Sequence, residues 1–360
     1  MVQITHKEDS ILIDLRSDTL TMPDAAMLET ILTARLGDDG RLDENGRGED
    51  EEINRLEDEC AALTGKEAGL LSVSGTMGNQ TALMTWCGPG DQVLVERRQH
   101  LYKSEEAAFS DRLSRMQPVF YTLDDALMPD LPSMEAALAG GSVRLVCVEN
   151  SHNFSGGACI TTERMKAIRE LADRYHVPVH LDGARLFNAA AYLHADIEEL
   201  CRYADSVMFC FSKGLAAPVG SILCGSHSFI RRAKETRKLL GGALRQGGII
   251  AAPARYALAH NRPQLAEDNR NCRICADALS GLKRLSCQTQ VQTNILVLNI
   301  SRTGLTQKEI CRRLADKGLL IKPVLDEEVR LVFYKGITAD DARQAAAIIL
   351  SLDRELEETP

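Results

Sequence analysis

Val177-Pro-Val-His-Leu-Asp-Gly-Ala-Arg185 and Asp205-Ser-Val-Met-Phe-Cys-Phe-Ser-Lys-Gly214 are two short apolar runs, each ending on ionisable residues. The first delivers Asp182 and the second Lys213, 31 residues further on. Short runs that are apolar on both faces read as buried strands of a mostly parallel sheet. A carboxylate and an amine then both stand at the C-terminal edge of that sheet, where open α/β folds place their chemistry.

Such a pair is what a pyridoxal-phosphate (PLP) enzyme needs. The lysine forms the Schiff base, and the aspartate keeps the pyridinium nitrogen protonated as an electron sink. Taken singly, Asp182 could cap a helix and Lys213 could be a surface lysine; taken together they favour the cofactor. Arg185 is a candidate carboxylate clamp, since a guanidinium binds a carboxylate with two parallel hydrogen bonds; a surface salt bridge is the plainer alternative. Ser74-Gly-Thr-Met-Gly-Asn79 follows an apolar run and opens a helix. It reads equally as a phosphate cradle or as a tight strand-to-helix turn, and it matches neither a P-loop nor GxGxxG. His100 and His152 also follow apolar runs, Gln92–Glu96 and Arg144–Glu149, which puts two imidazoles on the same edge for acid–base work or ring stacking.

Outside these motifs the chain alternates strand and helix from about 51 to 240. Helices are expected over Glu51–Leu63, from Met77, and over Thr162–Tyr175. Further strands are expected at Gly69–Val73, Pro118–Thr122 and Val219–Cys224. Residues 226–284 read as largely helical. A second α+β pattern then begins: strand Ile295–Ile300, helix Gln307–Lys317, strands Leu319–Lys322 and Val329–Phe333, helix Ala339–Leu352. The expected organisation is an N-terminal arm (1–25), a large α/β domain (26–260) and a small α+β domain (261–360). Residues 10–50 read as arm and irregular loop, and a loop that long is usually functional or mobile.

With 360 residues, 44% of them hydrophobic, the chain can bury one large core and a smaller one. A formal charge of −9 and no basic stripe argue against nucleic acid as partner. The eleven cysteines are scattered, mostly in apolar contexts, and read as small buried hydrophobes rather than a disulfide framework. Cys272-Arg-Ile-Cys275 lacks a second ligand pair for zinc. The polar stretch Met1–Ser10 has no apolar signal region, and the expected location is cytoplasmic.

From Asp14 to about residue 350 the chain resembles the low-specificity L-threonine aldolases, PLP-dependent lyases of the aspartate-aminotransferase fold (fold type I). The resemblance is carried by Asp14-Leu-Arg-Ser-Asp-Thr19, Ser74-Gly-Thr-Met-Gly-Asn79, His100, Glu149-Asn-Ser-His-Asn153, His180-Leu-Asp-Gly-Ala-Arg-Leu-Phe-Asn188, Ser212-Lys-Gly-Leu215 and Lys238-Leu-Leu-Gly-Gly-Ala-Leu-Arg-Gln246. It implies that Lys213 is the Schiff-base lysine, Asp182 the pyridinium partner and His100 the imidazole stacked on the ring. Ser74, Gly75, Thr76 and Ser212 would be further cofactor contacts. Ser17, Arg185 and Arg330 would hold the substrate carboxylate. Lys238 and Arg245 would reach a neighbouring subunit's cofactor site in a dimer or a dimer of dimers. The chain departs from the family's Gly-Asp-Asp-Val-Tyr-Gly-(Asp/Glu)-Asp segment. Here Gly37-Asp-Asp39 and Gly48-Glu-Asp50 are set apart by extra residues, and Arg47 stands where the tyrosine of the active-site mouth is expected. Glu106-Ala-Ala-Phe109 replaces a Gly-Gly pair usually found after the glutamate of the His100 motif.

The expected reaction is retro-aldol cleavage of a β-hydroxy-α-amino acid of the threonine or allo-threonine type, giving glycine and an aldehyde. His100, His152 or a water they position would take the hydroxyl proton. A β-eliminating lyase or a racemase would instead remove the Cα proton with Lys213, and Arg47 would then suit a second anionic group, as in a β-hydroxyaspartate. A non-catalytic scaffold is the third reading, opposed by the intact Lys213 and Asp182.

Overall fold

The computed structural model describes residues 12–44, 46–288 and 290–358. The reading of Met1–Ser10 therefore lies outside the described residues, as do Asn45 and Thr289. Thirteen strands occur among the described residues: β1 (Ile13–Asp14), β2 (Ala68–Ser72), β3 (Gln92–Glu96), β4 (Gln117–Tyr121), β5 (Val143–Glu149), β6 (Val179–Asp182), β7 (Ser206–Cys210), β8 (Ser221–Gly225), β9 (Ser286–Cys287), β10 (Ile295–Asn299), β11 (Leu319–Leu320), β12 (Lys322–Pro323) and β13 (Glu328–Val332).

Seven of them form the central sheet, in the order β2-β8-β7-β6-β5-β3-β4. β8 runs antiparallel to both of its neighbours and all other pairings are parallel. Successive residues of each strand enter different cores. Val146 and Val148 of β5 join Phe209, Ile222 and Leu181 in one, while Leu145 and Cys147 join Met208, Leu223 and Val93 in the other. A sheet packed on both faces has no use for polar alternation, which is why its strands read as continuous apolar runs. This is the α/β sheet that the motifs implied.

The four-stranded sheet β12-β13-β10-β9 is antiparallel. It packs with helices Gln264–Ala278, Gln307–Asp316 and Ala339–Glu358 around a core that holds Leu296, Leu331, Ile310 and Ile349. Cys272 and Cys275 are fully buried in that core.

Three sequence expectations are corrected. The run Leu319–Lys322 is not one strand: Leu319–Leu320 pairs in parallel with β1, while Lys322–Pro323 joins the four-stranded sheet. A proline lacks an N–H for a central ladder, which suits it to that edge position. The segment 10–50 is less irregular than expected. Ile13 and Leu15 enter the core of the small sheet, and Asp24 caps a short helix, Ala25–Glu29, by accepting from Met27 N. The last helix runs on to Glu358.

Candidate active site

The ends of β3, β5, β6 and β7 converge. Glu149 and Asp182 are register partners on β5 and β6, and Asp182 faces Met208 across β6 and β7. Lys213 lies three residues beyond β7, half-buried. Its amine makes no hydrogen bond or ion pair among the described residues, yet its charge pulls both Asp182 and Asp18 towards lower pKa. Both carboxylates therefore lie within its electrostatic reach.

Asp182 is 1% exposed. Its Oδ1 accepts from Ala184 N at 3.1 Å and its Oδ2 from Asn79 Nδ2 at 2.9 Å. Burial, with Glu149 and Glu105 close by, pushes its carboxyl up to about 7 against the pull of Lys213 and His100. Asn79 Nδ2 also donates to Glu105 Oε1 (3.0 Å), which is 3.0 Å from His100 Nδ1 as well, and Glu105 Oε2 accepts from Gln80 Nε2 at 3.0 Å. His100 opens a short helix, His100–Lys103, and its backbone N–H donates to Glu149 Oε2 at 2.8 Å. Its Nε2 has no protein partner among the described residues.

His152 is placed differently. It is 3% exposed, its Nε2 is 3.1 Å from Glu96 Oε2, and its Nδ1 is buried without a partner.

A second cluster sits beside the first. Arg185 is buried, with Nε and Nη2 on the two oxygens of Asp18 (2.7 and 2.8 Å) and Nη1 on Asn153 Oδ1 (2.9 Å). Arg330, on β13, donates to the same Asn153 oxygen. Its Nε is buried without a partner, and burial next to Arg185 lowers its pKa to about 10. Asp18 is 0% exposed. Burial alone would raise its carboxyl, but Arg185, Lys213 and Arg330 hold it below the usual range. Ser17 is half-buried, and its Oγ accepts from Thr19 N and Oγ1.

Ser74 caps the helix Gly75–Trp86 by accepting from Met77 N at 3.1 Å. The first-turn N–H groups of Gly75 and Thr76 have no intrahelical partner, which suits an anion. A Cβ at Gly75 would stand 2.6 Å from Cys210 Sγ, so only glycine lets the turn sit this close to the end of β7. Ser212 Oγ donates to Gly220 O at 3.4 Å. Turn, lysine and buried aspartate on one sheet edge fit the phosphate, the carbonyl and the basic ring nitrogen of PLP.

Lys238 and Arg245 are exposed and outside these clusters, and Arg245 pairs with Asp38 at 3.1 Å. Arg47 donates from Nη1 and Nη2 to Asp58 at 2.9 Å each, and from Nη2 to Asn54 O. Both side chains of that ion pair are exposed, which makes it a weak tie.

Sequence reasoning did not single out Asp18, Asn79 or Glu105 for roles, although Asp18 and Asn79 lie within the quoted motifs and Glu105 directly precedes Glu106-Ala-Ala-Phe109. Asp18 carried a usable signal: an acid one residue past a candidate carboxylate binder. Nothing local marks Asn79, whose partners are His180 and Asp182 of β6 and Glu105, beyond the helix that follows β3.

Fold and site together define an α/β enzyme of the aspartate-aminotransferase fold. The chain belongs to the beta-eliminating lyase family, whose family model matches residues 14–301. It is 37% identical to low-specificity L-threonine aldolase 1 of Arabidopsis thaliana over 91% of this chain and 93% of that protein. It is 37% identical to the low specificity L-threonine aldolase of Escherichia coli (strain K12) over 74% of this chain and 79% of that one. A solved structure of the Leishmania major threonine aldolase shares the fold. Its TM-score is 0.74 at 15% identity, covering 95% of this chain and 99% of that chain. Among the described residues no helix is long and apolar enough to cross a membrane.

Proposed function

We propose that this protein is a PLP-dependent carbon–carbon lyase that cleaves L-threonine or L-allo-threonine to glycine and acetaldehyde. The observation that carries the reading is the half-buried, unpaired Lys213 within electrostatic reach of two buried carboxylates, Asp182 and Asp18, with Asp18 bound by Arg185 and Arg185 joined to Arg330 through Asn153. The threonine aldolases named above support the substrate class.

When bound, PLP supplies the electron sink that accepts the pair released from Cα. Lys213 would hold the cofactor through its amine, and Asp182 would keep the ring nitrogen protonated. Gly75, Thr76 and the Ser74 cap would hold the phosphate, with Ser212 and His100 as further contacts.

Arg330 Nε and the Arg185 guanidinium, with Ser17 beside them, bind the substrate carboxylate. That would fix the orientation of the amino acid in the site. A base would take the β-hydroxyl proton as the Cα–Cβ bond breaks and the β-carbon leaves as the aldehyde, and a proton returned to Cα would give glycine. The nitrogens available for that proton are His100 Nε2 and His152 Nδ1, each on an imidazole backed by a glutamate. Lys238 and Arg245 reach the site of a second subunit in a homodimer or a dimer of dimers. Leu32 (85% exposed), Leu239 (83%) and Met22 (76%) are apolar side chains such a contact would cover.

Product analysis tests the reading. Acetaldehyde with glycine, lost in Lys213→Ala, is the expected result. 2-Oxobutyrate with ammonia would overturn it in favour of elimination.

A further inference from the structure

Asp182 is held by a chain of hydrogen bonds that begins far from the lysine. Trp86 Nε1 is 2.9 Å from Ser206 Oγ, Ser206 Oγ is 2.9 Å from His180 Nδ1, and His180 Nε2 is 3.2 Å from Asn79 Oδ1. Asn79 Nδ2 then meets Asp182 Oδ2 and Glu105 Oε1. The polarity of both ends is fixed: an indole N–H only donates, and an ionised carboxylate only accepts. Asn79 Nδ2 meets two carboxylates, so its amide turns the carbonyl to His180 Nε2, which must carry the imidazole proton. The neutral ring then accepts at Nδ1, and Ser206, which accepts from Trp86, donates its own proton there. Burial pushes His180 down to about 3, so the ring stays neutral and passes direction along the chain without adding charge. Trp86 is itself locked, stacked on Phe229 with ring centroids 4.7 Å apart.

We infer that Asn79 is the positioning residue that keeps Asp182 ionised and aimed at the cofactor ring, and that Trp86, Ser206 and His180 set the direction of its amide. The inference rests on the PLP reading above. Asp182 needs such a donor. It is surrounded by Glu149 and Glu105, with Lys213 and His100 as the opposing charges, and a hydrogen bond to the charged form is what favours ionisation in a buried place. Asn79 is shared with Glu105, so one amide neutralises part of two carboxylates at once.

The test is a pH titration of the visible absorbance band of the PLP-loaded protein, in wild type, Asn79→Ala and Ser206→Ala. A weakened Asp182 leaves the ring nitrogen less protonated, and the nearby Lys213 nitrogen then keeps its own proton to higher pH. The midpoint should rise by roughly one pH unit in Asn79→Ala and by about a third of that in Ser206→Ala. In Asn79→Ala, kcat should fall about 10- to 100-fold with KM changed less than about threefold. Ser206→Ala removes a single hydroxyl and remains informative if Asn79→Ala does not fold. A band whose midpoint is unshifted in Ser206→Ala, with kcat at the wild-type value, overturns the inference and leaves the PLP reading intact. No visible band in wild type overturns the PLP reading itself.

Discussion

The two halves of the site solve opposite electrostatic problems. At the clamp, Asp18 takes two nitrogens of Arg185 and Asn153 joins Arg185 to Arg330, which leaves Arg330 Nε unpartnered. At the ring edge, Asp182, Glu105 and Glu149 crowd together, and Lys213 and His100 pull Asp182 the other way. The carboxylate of the clamp is neutralised by a resident cation. The ring edge is a carboxylate excess, which on the proposed reading a cationic ring nitrogen would complete. Residents fix geometry, and a deficit selects what binds.

Removing a resident partner should therefore cost stability, while removing an excess charge should not. Arg185→Leu leaves Asp18 buried and uncompensated, and should destabilise the cofactor-free protein by about 3–5 kcal/mol in urea melts while abolishing turnover. Asp182→Asn should lower kcat about 10²- to 10³-fold. In the same melts at pH 8 it should raise stability by about 1 kcal/mol, because it removes a like charge. A loss of several kcal/mol in Asp182→Asn would erase the contrast between the two halves.

The contrast also sets the pH dependence of the cofactor-free protein. Burial raises Asp182, Glu57 and Asp268 each to about 7, so across pH 4–7 the folded state binds more protons than the unfolded chain. Stability should fall as pH rises through that window. Asp18, held low by Arg185, works the other way and loses its contribution only as pH drops below the ordinary carboxylate range. Asp268→Asn should flatten the pH 4–7 slope in melts, and an unchanged slope would remove it from this account. The smallest effect expected is at Glu106, which adopts a left-handed backbone (φ 50°) where the family usually has glycine. Glu106→Gly should stabilise by about 0.5 kcal/mol, the relief of the left-handed strain being partly offset by glycine's entropy.

The ring edge was the more legible half. Asp182, Lys213, His100 and His152 each follow an apolar run, and the period of a buried strand puts them on one edge without any tertiary information. The central strands were found within two residues for the same reason. The antiparallel β8 was not distinguishable, because a strand buried on both faces reads alike in either direction. The clamp's counter-ion was not legible, since Asp18 finds Arg185 through an arm whose route depends on a strand of the small sheet. Asn79 looked like one more small polar residue in a turn, because its role comes from His180, Glu105 and Asp182 meeting it in space. Arg47 has a partner that its sequence position did not announce, Asp58, eleven residues on.

The arm's pairing has a consequence for how the chain is made. Asp18 meets Arg185 across 167 residues, Arg330 meets Asn153 across 177, and β1 must wait for β11 near residue 319. The seven-stranded sheet, by contrast, is complete once Gly225 has emerged. At ribosomal speed the remaining stretch to Val332 takes about 5–20 s. For that interval the nascent protein has its sheet and its lysine, while Asp18 hangs on an unanchored segment and Arg330 does not yet exist. On the proposed reading, the cofactor-holding edge is thus laid down on the ribosome before the substrate-holding one.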